Sequence, residues 1–413
     1  MRMRAGPLLL ILALPDFAVA QARERARELG VPFGGTPGPN NAITDVSGVE
    51  VGHTTLISGS GPLVIGKGPI RTGVTAILPR GRNGSDSVFA AWFTLNGNGE
   101  MTGTTWVEES GRLDGPILIT NTHSVGVVRD AVIGWMTKHR PGFLFALPVV
   151  AETYDGILND AEGFHVKPEH VVAALDGARS GAVAEGNVGG GTGMRCHGFK
   201  GGIGTSSRRL PADAGGYTIG VLVQCNYGSR QRLRIFGVPV GQEITGVPTM
   251  CAAGATPTRA FLRGVPKCAG AAQGRGHQDS APPVPEGTGS IIVVVATDAP
   301  LLPHQLKRVA TRVTLAIGRM GGLGEDSSGD IFIAFSTANP AAAADSGIAR
   351  LTMLPNDRIN PIFGATVEAT EEAIVNAMLA AETMTGADDL RVHALPHDRL
   401  REVMRKYPMP GGR

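Results

Sequence analysis

Apolar residues in this chain fall into short, nearly continuous runs set apart by glycine- and proline-rich turns, with helical stripes between them. The run Ser290-Ile291-Ile292-Val293-Val294-Val295 is unbroken and bounded by Gly-Thr-Gly, which predicts a strand buried on both faces. Further strands are predicted around Thr44–Thr55, at Gly73–Pro79, Ile117–Asn121, Pro148–Glu152, Tyr217–Gln224 and Ile331–Thr337. Val125, Val128, Val132 and Trp135/Met136 recur at helical spacing. A second helix is predicted from Pro303 to Met320, its stripe running Leu306, Val309, Ala310, Val313, Ala316, Ile317 and Met320, with Gly321-Gly322 as the stop. A long amphipathic helix is expected over Val367–Thr385, ended by Gly386. From Gly246 to Gly289 periodicity is lost and Pro, Gly and Ala dominate, so residues 246–289 read as a flexible connector. Strands alternating with helices, and no repeat at a solenoid period, point to an α/β protein.

Composition narrows this picture. The 413 residues are 42% hydrophobic and only 5% aromatic, with 59 glycines, which suits an α/β domain with many tight turns and close backbone approaches. Arg2 and Arg4, the apolar stretch Leu8–Leu14 and the small residues Ala18-Val19-Ala20 have the order of a secretory signal peptide over residues 1–20. That apolar stretch is too short to span a bilayer. The expectation is therefore a periplasmic or secreted protein without membrane insertion. Removing residues 1–20 lowers the formal charge from +2 to +1, through Arg2, Arg4 and Asp16, and no basic stripe with interleaved aromatics remains to bind nucleic acid. Cys196, Cys225, Cys251 and Cys268 show no metal-like spacing. In an exported protein Cys251 and Cys268 could form a disulfide within the connector; free thiols are the alternative.

Several motifs suggest chemistry that their surroundings do not support. Gly186-Asn187-Val188-Gly189-Gly190-Gly191-Thr192-Gly193 resembles a phosphate-binding loop, but no Gly-Lys-Ser/Thr follows, and a close-packing turn accounts for it better. The ten histidines include no His-Glu-x-x-His pair, so no metal site is expected. His123, between a strand and a helix, reads as a turn or pocket residue. A Gly-x-Ser-x-Gly elbow is absent.

Ser290 is the candidate nucleophile, because it opens a core strand directly after Gly289 at the end of the connector; the alternative on this local pattern is an ordinary loop-to-strand junction. Cleavage of the Gly289–Ser290 bond would expose it. Polar clusters border other core elements. Asn226 follows a strand and precedes Gly228, where its amide could meet a developing oxyanion. Ser328 and Asp330 precede the Ile331 strand and could orient an amine or hydroxyl. Glu152 and Tyr154 put a carboxylate and a phenol at a strand end, where α/β folds tend to bind ligands.

Together these segments resemble the L-aminopeptidase/D-esterase family, which includes the β-peptidyl aminopeptidases. The resemblance runs from Gly35–Val46 through Asn121–Gly126, Glu152–Gly156, Leu222–Gly228, Gly289-Ser290 with Ala296–Leu301, and Ser327–Phe332. It implies a four-layer α/β/β/α sandwich, similar in layout to N-terminal-nucleophile hydrolases, and self-cleavage into an α chain (21–289) and a β chain (290–413). It also implies an acyl-enzyme mechanism, with no metal or cofactor, on small peptide, amide or ester substrates. In that mechanism the Ser290 amine, with an unperturbed pKa of roughly 7.7–8.0, is the general base. Asn226 would form the oxyanion hole with Tyr154 assisting, Ser328 and Asp330 would orient the amine, and Glu152 would anchor the substrate ammonium. L-α, D-alanine and β-residues are all compatible, and a homo-oligomer is expected by the same resemblance. Two other readings remain: an N-acyl amidase or acyltransferase on the same scaffold, and a non-catalytic exported binding protein.

Overall fold

The computed structural model describes residues 24–84, 86–140, 145–254, 257, 259–268, 289–340 and 347–407. The expected signal segment 1–20 lies outside them, as does the latter part of the expected connector, 269–288.

Two sheets stack face to face. The larger has six strands in the order Arg112–Leu113, Val88–Thr94, Ser328–Ser336, Gly289–Thr297, Thr218–Asn226 and Gly202–Arg209. The smaller has four, in the order Glu50–Ser58, Ile70–Leu78, Ile117–Asn121 and Val149–Thr153. Each sheet holds one parallel pair: Gly289–Thr297 with Ser328–Ser336, and Ile117–Asn121 with Val149–Thr153. In both pairs a helix fills the crossover, Pro303–Arg319 in the first and Val125–His139 in the second.

The unbroken apolar run after Ser290 follows from this stacking. Successive side chains of a strand point to opposite faces, and here both faces are covered. Ile292, Val294 and Ala296 enter the layer between the sheets with Ile331, Ile333 and Phe335. Ile291, Val293 and Val295 face the helices Pro303–Arg319 and Asn360–Ala380 instead. On the outer face of the smaller sheet, Val125–His139 and Pro168–Asp176 cover Val74, Ala76, Leu118 and Val150. The result is the four-layer α/β/β/α sandwich expected from the sequence.

Some elements depart from expectation. The strand expected from Thr44 begins only at Glu50, because Ile43–Asp45 form a 3-10 turn capped by the Asp45 carboxylate. The strands Val88–Thr94 and Gly202–Arg209 had no sequence signal, the latter because its buried positions carry Thr205, Ser206, Ser207 and Arg208. The last long helix runs Asn360–Ala380 and is buried nearly all round, not amphipathic. Its glutamates misled the pattern. Glu372 is inside, paired with Arg208 at 2.7 Å and Arg27 at 3.0 Å. Gly204 lets this helix sit close, since a Cβ there would lie 2.0 Å from the Ala373 carbonyl.

The first part of the expected connector has defined structure. Cys251–Ala252 pairs with Leu390–Val392, which pairs with Met384–Thr385, and Leu262 packs beneath with Ile157, Leu158 and Met250. Cys251 and Cys268 are joined at 2.10 Å, and Cys196 and Cys225 at 1.88 Å. The glycines of 186–193 are a packing turn between the sheets: a Cβ at Gly190 would lie 2.2 Å from Gln224 Oε1 and 2.7 Å from the Ile119 carbonyl.

Candidate active site

Strand register brings the candidate residues together. Ser290 is opposite Asn226 on its antiparallel neighbour and beside Gly329 on its parallel one. It is buried, and its Oγ accepts the Gly329 backbone N–H at 3.2 Å. Gly329 leaves room for this arrangement. A Cβ there would lie 2.5 Å from the Asn98 carbonyl and 2.6 Å from the Gly99 Cα. The loop after Val88–Thr94 is thus clasped over the Ser328–Ser336 strand, with Asn98 N–H donating to the Ser328 carbonyl at 3.2 Å and Asn98 Nδ2 to Ser327 at 2.9 Å.

The Asn226 side chain is fixed from two directions. Its Oδ1 accepts the Arg195 N–H at 2.8 Å, and its Nδ2 donates to the Tyr154 carbonyl at 3.0 Å. Nδ2 carries two hydrogens, so one holds the orientation while the other stays available to a reacting group. Tyr154 therefore reaches Asn226 through its main chain, while its half-exposed ring folds against Gly156.

Glu152 comes from the smaller sheet. Its carboxylate accepts the Glu100 N–H at 3.0 Å and the Thr122 hydroxyl. Burial raises its pKa, opposed by these two hydrogen bonds. A cleft of about 660 Å³ joins Glu152, Tyr154, Asn226, Gly289 and Ser290 with Asn98, Gly99, Glu100, Thr122, Ile157, Arg195 and Phe261.

Ser328 and Asp330 are not in the cleft wall. Strand alternation puts them on the helix-facing side with Phe332 and Ala334, whereas Ser290 shares the inter-sheet side with Ile292. Ser328 Oγ donates to Asp330 Oδ1 at 2.7 Å, and the Ile291 N–H also stabilises that carboxylate. The pair thus adjoins the backbone of the serine strand, not the Ser290 hydroxyl. Burial pushes the Asp330 pKa up to about 6, against the hydrogen bonds from Ser328, Ile291 and Asn96.

Sequence reasoning missed the Asn96–Glu100 loop, Thr122, Arg195 and Phe261 as parts of the site. Asn98-Gly99 is an ordinary turn dipeptide and had no signal of its own. Thr122 stands next to His123, whose ring lies against Tyr154 and Phe164 at centroid distances of 6.3 and 6.0 Å. Among the described residues no cluster of His, Cys, Asp and Glu could hold a metal ion.

The chain has close relatives among known proteins. Residues 41–392 match the model of peptidase family S58. A β-peptidyl aminopeptidase, BapA, of Sphingosinicella microcystinivorans is 55% identical over 385 residues, covering 93% of this chain and 92% of that protein. BapA of Sphingosinicella xenopeptidilytica is 48% identical over 413 residues, covering 98% and 97%. The solved L-aminopeptidase D-Ala-esterase/amidase of Ochrobactrum anthropi, described as a variant among the Ntn hydrolase fold, superposes with a TM-score of 0.78. It is 45% identical, covering 93% of this chain and 98% of that one.

Proposed function

This chain belongs to peptidase family S58 and is an aminopeptidase of the serine type, and from that premise we propose that it matures by cutting itself at Gly289–Ser290 and then uses Ser290 as an N-terminal nucleophile. The observation that carries the reading is the register of Ser290 with Asn226 at the floor of a cleft that also holds Glu152.

In maturation the Ser290 Oγ attacks the Gly289 carbonyl. The Gly289–Ser290 C–N bond breaks as the nitrogen takes a proton, leaving an ester that water opens to a Gly289 carboxylate and a free Ser290 amine. In turnover that amine accepts the hydroxyl proton while Oγ attacks the substrate carbonyl. The free Nδ2 hydrogen of Asn226 stabilises the oxyanion, worth about 10²–10³ in kcat for one such donor. The amine of the substrate's second residue leaves with the proton, and water hydrolyses the acyl-enzyme. Asp330, held by Ser328 beside the serine strand, acts on the new ammonium through charge. Glu152 pairs with the substrate's own ammonium.

The names of the two Sphingosinicella relatives support a β-amino acid as the released residue. The pattern of residues 1–20 supports export to the periplasm or beyond, and the family resemblance supports a homo-oligomer of processed units.

Intact mass of the purified protein beside a Ser290→Ala variant tests the reading. Scaling 42.8 kDa by length gives fragments of about 28 and 13 kDa, the smaller beginning at Ser290, and an uncut variant. A chain that stays whole in both, without amidase activity, would favour the binding-protein reading instead.

A further inference from the structure

The proposed reaction gives no task to Arg195, which lines the cleft. Arg195 is half-buried in the cleft wall, and among the described residues its guanidinium has no hydrogen-bond or ion-pair partner. Other buried arginines here are paired: Arg208 with Glu372, and Arg71 with four backbone carbonyl contacts. Burial lowers the Arg195 pKa to about 10, with no carboxylate offsetting it, so it remains a cation at neutral pH. Its side-chain nitrogens are not sealed from the cleft, so an anionic ligand could replace the water that solvates them.

Its position relative to the nucleophile is defined by the strands. Arg195 N–H holds Asn226, on one side of the Ser290 strand. The Glu152 carboxylate, accepting the Glu100 backbone N–H, lies on the other side, beside the loop clasped over Gly329. Ser290 therefore lies between the Glu152 carboxylate and Arg195 in the cleft lining. A free dipeptide has the matching charges, an ammonium on the acyl side of the scissile bond and a carboxylate one residue beyond it.

We propose that Arg195 receives the C-terminal carboxylate of the substrate, so that the enzyme prefers free dipeptides to the corresponding amides. This rests on the aminopeptidase reading above. A guanidinium–carboxylate pair can be bidentate and charge-assisted. Its loss is expected to reduce kcat/KM about 10- to 100-fold.

The test uses the processed enzyme with two probe pairs: β-alanyl-L-alanine against its C-terminal amide, and L-alanyl-L-alanine against its amide. The wild type should favour the acid about tenfold or more in at least one pair, mainly through KM. Arg195→Gln should lower kcat/KM about 10- to 100-fold more on the acid than on the amide and so erase that preference, and Arg195→Lys should keep part of it. Equal use of acid and amide by the wild type overturns the proposal, as does an Arg195→Gln loss that is equal on both. If Arg195→Gln does not mature, the wild-type ratio and Arg195→Lys decide. Failure to cleave any of the four probes would instead overturn the aminopeptidase reading, and this inference with it.

Discussion

Gly289→Ala probes the proposed self-cleavage at Gly289–Ser290 most directly. Gly289 has φ +133°, in the region where side chains are rarely tolerated, and a Cβ there would lie 1.9 Å from the Asn226 carbonyl oxygen. Ordinary contact begins near 3.4 Å, so the methyl would have to move by about 1.5 Å or push the asparagine strand away. Either displacement carries the Gly289 carbonyl relative to the Ser290 hydroxyl. A misplacement of about 1 Å in such a reaction can cost about 10²-fold in rate, so the variant should cleave itself about 100-fold more slowly than the wild type. A time course of intact mass on freshly purified protein reads this directly, and circular dichroism checks that the uncut chain is folded. The fraction that does mature carries an unchanged Ser290 and should turn over normally per cleaved molecule, counted by a serine-directed acylating reagent. Cleavage at the wild-type rate would refute the reasoning, because the contact with Asn226 would then be irrelevant to the attack.

Asn226→Ala should lower kcat on small amides about 10²–10³-fold in protein that has been processed, with KM little changed; a drop under threefold would remove Asn226 from the oxyanion hole. In the uncut Ser290→Ala chain, Asp330 has its pKa raised from 3.8 to about 6 by burial. The folded chain therefore holds a proton there that the unfolded chain releases, and stability falls as pH rises from about 4 to 6. The rise in pKa corresponds to ~3 kcal/mol at most. Adding Asp330→Asn should remove that slope, and denaturant melts at pH 4, 5, 6 and 7 that leave the slope intact would contradict it. Phe261 is half-exposed in the cleft wall on the segment closed by Cys251–Cys268 and anchored by Arg259 to Asp388 at 2.7 Å. Phe261→Ala should raise KM up to about tenfold for substrates with a large apolar group, from ~1.4 kcal/mol of lost apolar contact. Replacing both cysteines by serine should move KM in the same direction, and unchanged KM in both variants would exclude this wall from substrate binding.

The strands with continuous apolar runs were legible because each is buried on both faces, so its pattern depends on nothing outside the segment. Ile117–Asn121 and the helix Pro303–Arg319 appear almost as their residues predict. Gly202–Arg209 was not legible, since its buried Arg208 and serines are satisfied by partners more than 150 residues away, among them Glu372 and the Ala369 carbonyl. The same long-range pairing hid the burial of the Asn360–Ala380 helix.

For the site, the sequence by itself determined which residues are the candidates: a serine after a glycine at the head of a core strand, an asparagine at a strand exit, and a carboxylate at another. Those signals are local, because turns and strand ends are written in consecutive residues. Only the tertiary structure decided that Asn226 faces Ser290, that Ser328 and Asp330 lie behind the serine strand, and that Arg195 and Phe261 join the cleft. Strand register and the stacking of two sheets settle those placements, and both depend on contacts between segments that no single stretch of sequence contains.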